Sequence, residues 1–157
     1  MTYKRILVPV DGSRTSQLGL KEAIRLAKGQ KASLVLVHVV DEHVVIMASM
    51  EAASYLEDLR PSLMKSGRRI LERAVETVRK AGVACQSVLL ETMVAPAADL
   101  IVRQAKKSRA DLIVIGTHGR TGLAHALIGS VAERVVRYAH RPVLAVRAPA
   151  ASRAAAA

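Results

Sequence analysis

The chain has 157 residues, of which 51% are hydrophobic, enough apolar material for one folded domain with a single core. This composition excludes an intrinsically disordered protein, and no apolar run approaches the roughly 18 to 20 residues of a membrane-spanning helix. Lysines and arginines number 24 against 13 aspartates and glutamates, a net charge of +11, so anions are the expected ligands. One cysteine, Cys85, excludes an internal disulfide and a cysteine-rich zinc site. Because no signal-peptide pattern opens the chain, we expect a cytoplasmic protein.

Apolar runs alternate with amphipathic segments along most of the chain, a pattern typical of βαβ units around a parallel sheet. Five runs predict strands, at residues 5–10, 33–40, 83–91, 111–116 and 142–147. Four of these runs are nearly continuous in valine, isoleucine and leucine, as expected for strands that helices cover on both faces. The third contains Gln86 and Ser87, which favours an edge position. The expected fold class is α/β, a five-stranded parallel sheet with helices on both faces.

Helices are predicted between the strands, where apolar residues recur three and four positions apart. The first helix is expected to start after Ser13 and to end near Gly29, and the second to end near Gly82. The third is expected at residues 97–108, and the last is expected to start at Gly129 and Ser130. The last helix should turn five apolar residues inward, namely Val131, Ala132, Val135, Val136 and Ala139. Residues 41–56 fit helix, strand or ordered loop. Residues 1–148 are expected to form a single domain, and residues 149–157 a disordered tail.

Glycines are concentrated after the fourth predicted strand, at positions 116, 119, 122 and 129, and Ser130 follows at a predicted helix start. Glycine lets backbone amides approach an anion closely, and amides at a helix N-terminus bind phosphate oxygens. These glycines could instead only form turns, but four within 14 positions between a strand and a helix favour an anion site. The chain has no GxxxxGK[ST] and no GxGxxG after its first strand, which argues against a P-loop enzyme and an ordinary dinucleotide-binding domain.

The spacing G-x2-G-x9-G-[ST], complete here as Gly116, Gly119, Gly129 and Ser130, resembles the motif of the ATP-binding branch of the universal stress protein family. The resemblance covers residues 2–147, including the opening ILVPVDGS, the LVHVVD of the second strand and the closing RPVLAVR. It implies the Rossmann-like, adenine nucleotide alpha hydrolase-like form of the α/β fold. It also implies a homodimer paired through the last strand, bound ATP with Mg²⁺ or Mn²⁺, and a nucleotide-dependent regulatory role in the stress response.

The resemblance further implies which residues surround the nucleotide. Pro9, Asp11 and Val39 would lie around the adenine and the ribose. The wall of the site and the first phosphate turn would be formed by Ile115, Gly116, Thr117, His118, Gly119 and Arg120. The phosphates would be held at the start of the last helix by Gly129, Ser130 and Val131.

Other roles compete at some polar positions. Asp11 could cap the first helix rather than meet a ribose or a metal ion, although Ser13 is an equally good cap. His118 could be an ordinary turn residue. Side chains that alternate along a strand do not converge on one point. A solvated polar loop, rather than a metal site, is therefore the interpretation for His38, Asp41, Glu42 and His43.

Two rival functions remain open. The first is a slow ATPase or nucleotidyl-transfer enzyme, for which weak ATP hydrolysis would be the sign, but no catalytic arrangement of side chains accompanies the glycine motif. The second is a nucleic-acid-binding module that uses the basic residues of the second and third predicted helices. It is not favoured, because no recognition motif accompanies those residues.

Overall fold

Five parallel strands form one sheet in a computed structural model of the chain, which describes residues 2–41, 56–117 and 128–148. The strands are β1 (Arg5–Pro9), β2 (Ser33–Asp41), β3 (Cys85–Thr92), β4 (Leu112–Gly116) and β5 (Val143–Val146). The helices of the described residues are α1 (Arg14–Gln30), α2 (Leu56–Lys80), α3 (Ala97–Lys107) and α4 (Ser130–Tyr138). The predicted limits differ from these by at most two residues, and the predicted α/β class is confirmed.

The strand order is β3-β2-β1-β4-β5, so the chain winds outward from the centre in both directions. Leu7 of β1 stands in register with Val35 of β2 on one side and with Ile113 of β4 on the other. The winding direction reverses between β1 and β4. In open parallel sheets a crevice for ligands forms at such a switch point, outside the carboxyl ends of the strands.

Alternation along the strands divides the core into two layers, because successive side chains point to opposite faces of the sheet. The first layer packs α1 and α2 against strand residues that include Ile6, Val8, Leu34, Leu36 and Val114. The second layer packs α3 and α4 against Leu7, Val35, Val37, Ile113 and Ile115. All of these strand residues are buried, as the near-continuous apolar runs predicted.

One edge strand of the sheet was predicted correctly and the other was not. The edge position of β3 is confirmed. The expectation that β5 is covered on both faces is wrong, because β5 is the other edge strand and Leu144 and Ala145 are exposed. The inward orientation of Val131 and Val136 is also wrong, since their exposed fractions are 40% and 49%. The short helix α4 fully buries only the side that carries Ala132 and Val135. Val131 and Val136 lie at the borders of that side.

Several predicted segments lie outside the described residues, among them most of the open segment 41–56 and the tail 149–157. Within the described ranges, no helix combines the length and the apolar character that crossing a membrane requires.

Candidate functional site

The turn between β1 and α1 is held by a small network of polar groups. Gly12 has a φ of +80°, a conformation that favours glycine. Ser13 is the N-cap of α1, and its Oγ accepts a hydrogen bond from the Ser16 amide at 3.1 Å. Asp11 Oδ1 accepts the Ser13 amide at 2.8 Å, and the Asp11 amide donates to Ser16 Oγ at 3.2 Å. Ser13 therefore caps the helix, whereas Asp11 braces the turn that precedes it.

We expect Ser13→Ala to lower the free energy of unfolding by about 1 kcal/mol, because it removes the capping oxygen of α1. Chemical denaturation of the purified variant measures this loss. Ser66→Ala removes the same atom at an exposed position of α2 and should leave the stability equal or slightly higher, since alanine is the better helix former. An equal loss in both variants would contradict the capping role.

The two halves of the glycine motif meet at the end of β4. Thr117 is buried, and its amide donates to the carbonyl oxygen of Val146 at 2.9 Å. The Gly129 amide donates to the carbonyl oxygen of Thr117, with 2.5 Å between nitrogen and oxygen. Thr117 and Gly129 thus form a hydrogen-bonded base beside β5. Gly116 and Gly129, which are 13 positions apart in the sequence, are brought to the same end of the sheet.

Helix α4 starts at this base, and its first turn differs from that of α1. Gly129 is the N-cap, with φ −76° and ψ 155°, and no side-chain hydrogen bond caps the turn that follows among the described residues. Ser130 and Val131 at this turn are exposed. Amides at such a turn, with the positive end of the helix dipole behind them, suit a phosphate group. The first turn of α4 thus combines exposed residues with the absence of a side-chain cap from the described part of the chain, two features that are compatible with an anion.

An apolar surface adjoins this helix start. Pro9 ends β1, Val39 lies near the end of β2, and Ile115 is the penultimate residue of β4. By strand alternation all three occupy the face of the sheet that α3 and α4 cover. Val39 and Ile115 belong to the packed layer on that face. Pro9 and Val39, predicted to lie around the adenine and the ribose, and Ile115, predicted to form the wall of the site, therefore lie on the same face and at the same end of the sheet as the helix start.

Gly116 has a packing role that its place in the motif did not reveal. A Cβ atom on Gly116 would lie 2.7 Å from both the carbonyl carbon and the oxygen of Thr15, and 2.9 Å from the Ser16 amide nitrogen. These are backbone atoms of the first turn of α1. The hydrogen that replaces a side chain at Gly116 therefore points at α1, away from the face of Pro9 and Val39. Close helix packing, rather than phosphate approach, requires glycine here.

The remaining motif residues His118, Gly119 and Arg120 lie outside the described residues. No group of three or more histidine, cysteine, aspartate or glutamate side chains with metal-binding geometry occurs within the described ranges. Asp11 is a half-buried carboxylate in the turn that follows β1, at the carboxyl end of the sheet.

Helix α4 is held against α3 by an ion pair. Arg134 donates to both carboxylate oxygens of Asp99, with Nε at 2.7 Å and Nη2 at 3.1 Å. The hydrogen bond from Arg134 lowers the pKa of Asp99. The guanidinium also lies 5.1 Å from the ring centre of Tyr138. The pair is partly exposed, so it serves the orientation of α4 more than the stability of the fold.

His38 departs from the solvated polar loop that the sequence suggested. The side chain is buried, and its Nδ1 lies 2.6 Å from the carbonyl oxygen of Val10. It faces the layer of α2, where a Cβ on Gly67 would come within 2.8 Å of its ring. The prediction for His38 is therefore wrong, because an alternating strand position places it beneath a helix. Asp41 ends β2 half-buried, and Glu42 and His43 lie outside the described residues.

Two residues of α1 that fix the turn after β1 and the distance between α1 and β4 were not predicted. Ser16 holds the Asp11 amide, and Gly19 lets α1 approach β4, since a Cβ there would lie 3.3 Å from the Gly116 amide nitrogen. An isolated glycine inside an amphipathic helical pattern was the available signal for this close contact.

An open, doubly wound parallel sheet with a helix start at its switch point defines the fold class, α/β, in which ligands commonly bind at that point. The sequence profile of the universal stress protein family matches residues 2–147, and the chain belongs to this family. A relative in Methanocaldococcus jannaschii, universal stress protein MJ0531, is 40% identical over 147 residues, which cover 94% of this chain and 84% of that protein.

Solved structures agree with this assignment. The structure of MJ0577, also from M. jannaschii, superposes with a TM-score of 0.82 at 26% identity and covers 96% of this chain and 100% of that one. A universal stress protein of Archaeoglobus fulgidus in complex with dAMP superposes with a TM-score of 0.68 at 26% identity, covering 93% of this chain and 99% of that one.

Proposed function

We propose that this protein binds ATP in the crevice between the carboxyl ends of β1 and β4 and acts as a nucleotide-dependent regulatory module of the stress response in the cytoplasm. The unit that does so is a single domain of residues 1–148. The main support is the Thr117–Gly129 hydrogen bond, which joins the two ends of the glycine motif at the start of α4. The dAMP complex of the A. fulgidus relative supports a nucleotide as the ligand.

The described residues suggest how the parts of the nucleotide would be divided among them. The half-buried apolar residues Pro9 and Val39 suit an adenine ring, which needs flat apolar contacts, and the buried Ile115 belongs to the same layer as Val39. The first turn of α4 suits the phosphates, because its amides carry no side-chain cap. Loop residues His118, Gly119 and Arg120 complete the phosphate turn in this proposal.

A divalent cation would accompany the triphosphate. Mg²⁺ in proteins is commonly held by one or two carboxylates together with the phosphates of the ligand. Asp11 fits this role because Ser13 fixes its carboxylate beside the crevice through Oδ1. Mg²⁺ or Mn²⁺ would neutralise part of the phosphate charge and would be held mainly by ATP itself.

The test is to denature the purified protein and identify any released nucleotide by mass. We expect adenine nucleotide in a one-to-one ratio with the wild-type chain and little in the Gly119→Val/Ser130→Ala variant, which alters the phosphate turn. A matched variant, Gly29→Val/Ser66→Ala, makes the same changes on the outer surfaces of α1 and α2 and should retain the nucleotide. A wild type that is empty and does not bind added Mg·ATP would refute the proposal.

We also propose that two copies pair along β5. Its outer edge has no strand partner among the described residues, and the apolar residues Leu144, Val131, Val136 and Tyr138 are exposed on β5 and α4. An unpaired strand edge with exposed apolar side chains near it is a common place for two chains to meet.

We expect Leu144→Glu to convert the dimer into a monomer, because it places a charge in the apolar contact. Size-exclusion chromatography with light scattering measures the mass. Leu59→Glu on α2 is the matched control, since Leu59 is 41% exposed and Leu144 36%. A wild-type protein that is monomeric at all concentrations would exclude pairing through β5.

A further inference from the structure

A second cavity lies at the amino ends of the strands, at the end of the sheet opposite to the nucleotide crevice. Its volume is about 410 Å³, within the range of small-molecule sites. It opens between the end of α3, the chain that leads into β4 and the connection from α4 to β5. Nothing in the proposed ATP site uses it.

The floor of the cavity is apolar and its rim is cationic. Val102, Ala105, Ala110 and Ile113 line the floor, and the last three are buried. Four exposed basic side chains surround them, namely Lys106, Arg109, His140 and Arg141. Two alanines in the floor leave the space that larger side chains would fill.

These basic side chains form no ion pair within the described part of the chain. Asp111, the nearest acidic residue in sequence to the floor, is turned toward β1, where its oxygens accept the amides of Lys4 and Arg5 at 2.8 and 3.1 Å. The rim therefore keeps an uncompensated positive charge.

The dipole of α3 explains only part of this charge. Lys106 lies in the last turn of α3, where a cation is favourable. His140 and Arg141 come from the separate connection between α4 and β5, where no helix end requires them. Two elements that are distant in sequence thus direct basic groups at one apolar recess.

We propose that this cavity binds a soluble phosphate monoester with an apolar tail. Two arginines and a lysine suit a dianion, and a phosphate monoester approaches that charge at neutral pH. Because the apolar floor lies behind the cationic rim, the tail enters first and the phosphate remains at the rim. A lipid in a bilayer presents its headgroup first and would leave the floor empty.

The test is titration of the isotope-labelled full chain with octyl phosphate, followed by two-dimensional NMR. We expect saturable shifts at residues of the floor, such as Val102, Ala110 and Ile113. Inorganic phosphate lacks the apolar tail and octanol lacks the phosphate group. Each should therefore bind at least about tenfold more weakly than octyl phosphate. Shifts confined to the region of Pro9 and Gly129 would place octyl phosphate in the nucleotide crevice and overturn the proposal.

Charge-neutralised variants test the rim without disturbing the core. Lys106→Gln/Arg141→Gln removes two charges and should weaken octyl phosphate binding by at least about tenfold. Lys21→Gln/Lys28→Gln removes two charges from exposed positions of α1, and Lys28, like Lys106, lies in the last turn of its helix. Equal affinity loss in the two variants would show that net charge alone attracts the ligand. Because ATP binding can be measured separately in every variant, failure here is distinguishable from failure of the nucleotide proposal.

Discussion

Gly116→Ala is expected to destabilise the protein by about 3 kcal/mol, at the upper end of the usual cost of overpacking. The added methyl group would lie 2.7 Å from the backbone carbonyl carbon and oxygen of Thr15. A flexible side chain could move away from such a contact, but the first turn of α1 cannot move without breaking the Ser13 and Asp11 hydrogen bonds. Chemical denaturation monitored by circular dichroism measures the loss.

Gly29→Ala is the matched control for this substitution. A Cβ on Gly29 would meet no atom within 4 Å, and Gly29 lies inside α1. Alanine there should raise the free energy of unfolding by about 0.5 kcal/mol, because glycine loses more backbone entropy in a helix. If Gly116→Ala were as stable as Gly29→Ala, the close approach of α1 to β4 would be wrong. The comparison also separates the packing role of Gly116 from any contact with a ligand.

Gly129→Val is expected to weaken ATP binding by about 100-fold, which corresponds to about 2.7 kcal/mol. Its branched side chain would stand at the start of α4, where the proposal places the phosphates, and would keep them from the helix amides. The φ of −76° and ψ of 155° at Gly129 are allowed for valine. Because valine is a poor N-cap, the stability should fall by no more than about 1 kcal/mol. Isothermal titration calorimetry with Mg·ATP measures the affinity.

Gly29→Val controls for the side chain itself, since it adds the same atoms at an open position on α1. It should bind Mg·ATP with the wild-type affinity. A folded Gly129→Val protein that binds ATP normally would exclude the start of α4 as the phosphate site, and the apolar face of Pro9 and Val39 would then need another ligand. A graded result, with Gly129→Ala between wild type and valine, would indicate steric exclusion as the cause.

The elements of the fold were predictable because their signals are local. A strand buried on both faces needs a continuous apolar run, as at 33–40, and an amphipathic helix needs apolar residues three and four apart. The third strand carried its own edge signal in Gln86 and Ser87. The last strand did not, because Val143, Leu144 and Val146 are as apolar as the residues of a central strand. Composition alone therefore did not distinguish this edge strand from a strand in the middle of the sheet.

The residue types of the candidate site remain a prediction, and the structure adds geometry that the sequence did not contain. Glycines followed by serine at a helix start indicated an anion site, and the Thr117–Gly129 hydrogen bond brings the ends of that motif together. The motif did not show that Gly116 faces α1, or that Ser13 rather than Asp11 caps that helix. The first fact depends on how α1 packs against β4, a contact between residues about 100 positions apart. The second is local, but Asp11 and Ser13 are both good capping residues, so the sequence left that choice open.

The sequence by itself determined the α/β class, the places of the strands and helices, the net charge and the membership in the universal stress protein family. These properties follow from periodicity, composition and motif spacing, which are visible in the order of the residues without knowledge of their contacts. Only the tertiary structure decided that β1 and β4 are neighbours, that His38 is buried beneath α2, and that Lys106 and Arg141 share one cavity. Each of these depends on strand order and helix packing, which bring together residues that the sequence keeps far apart.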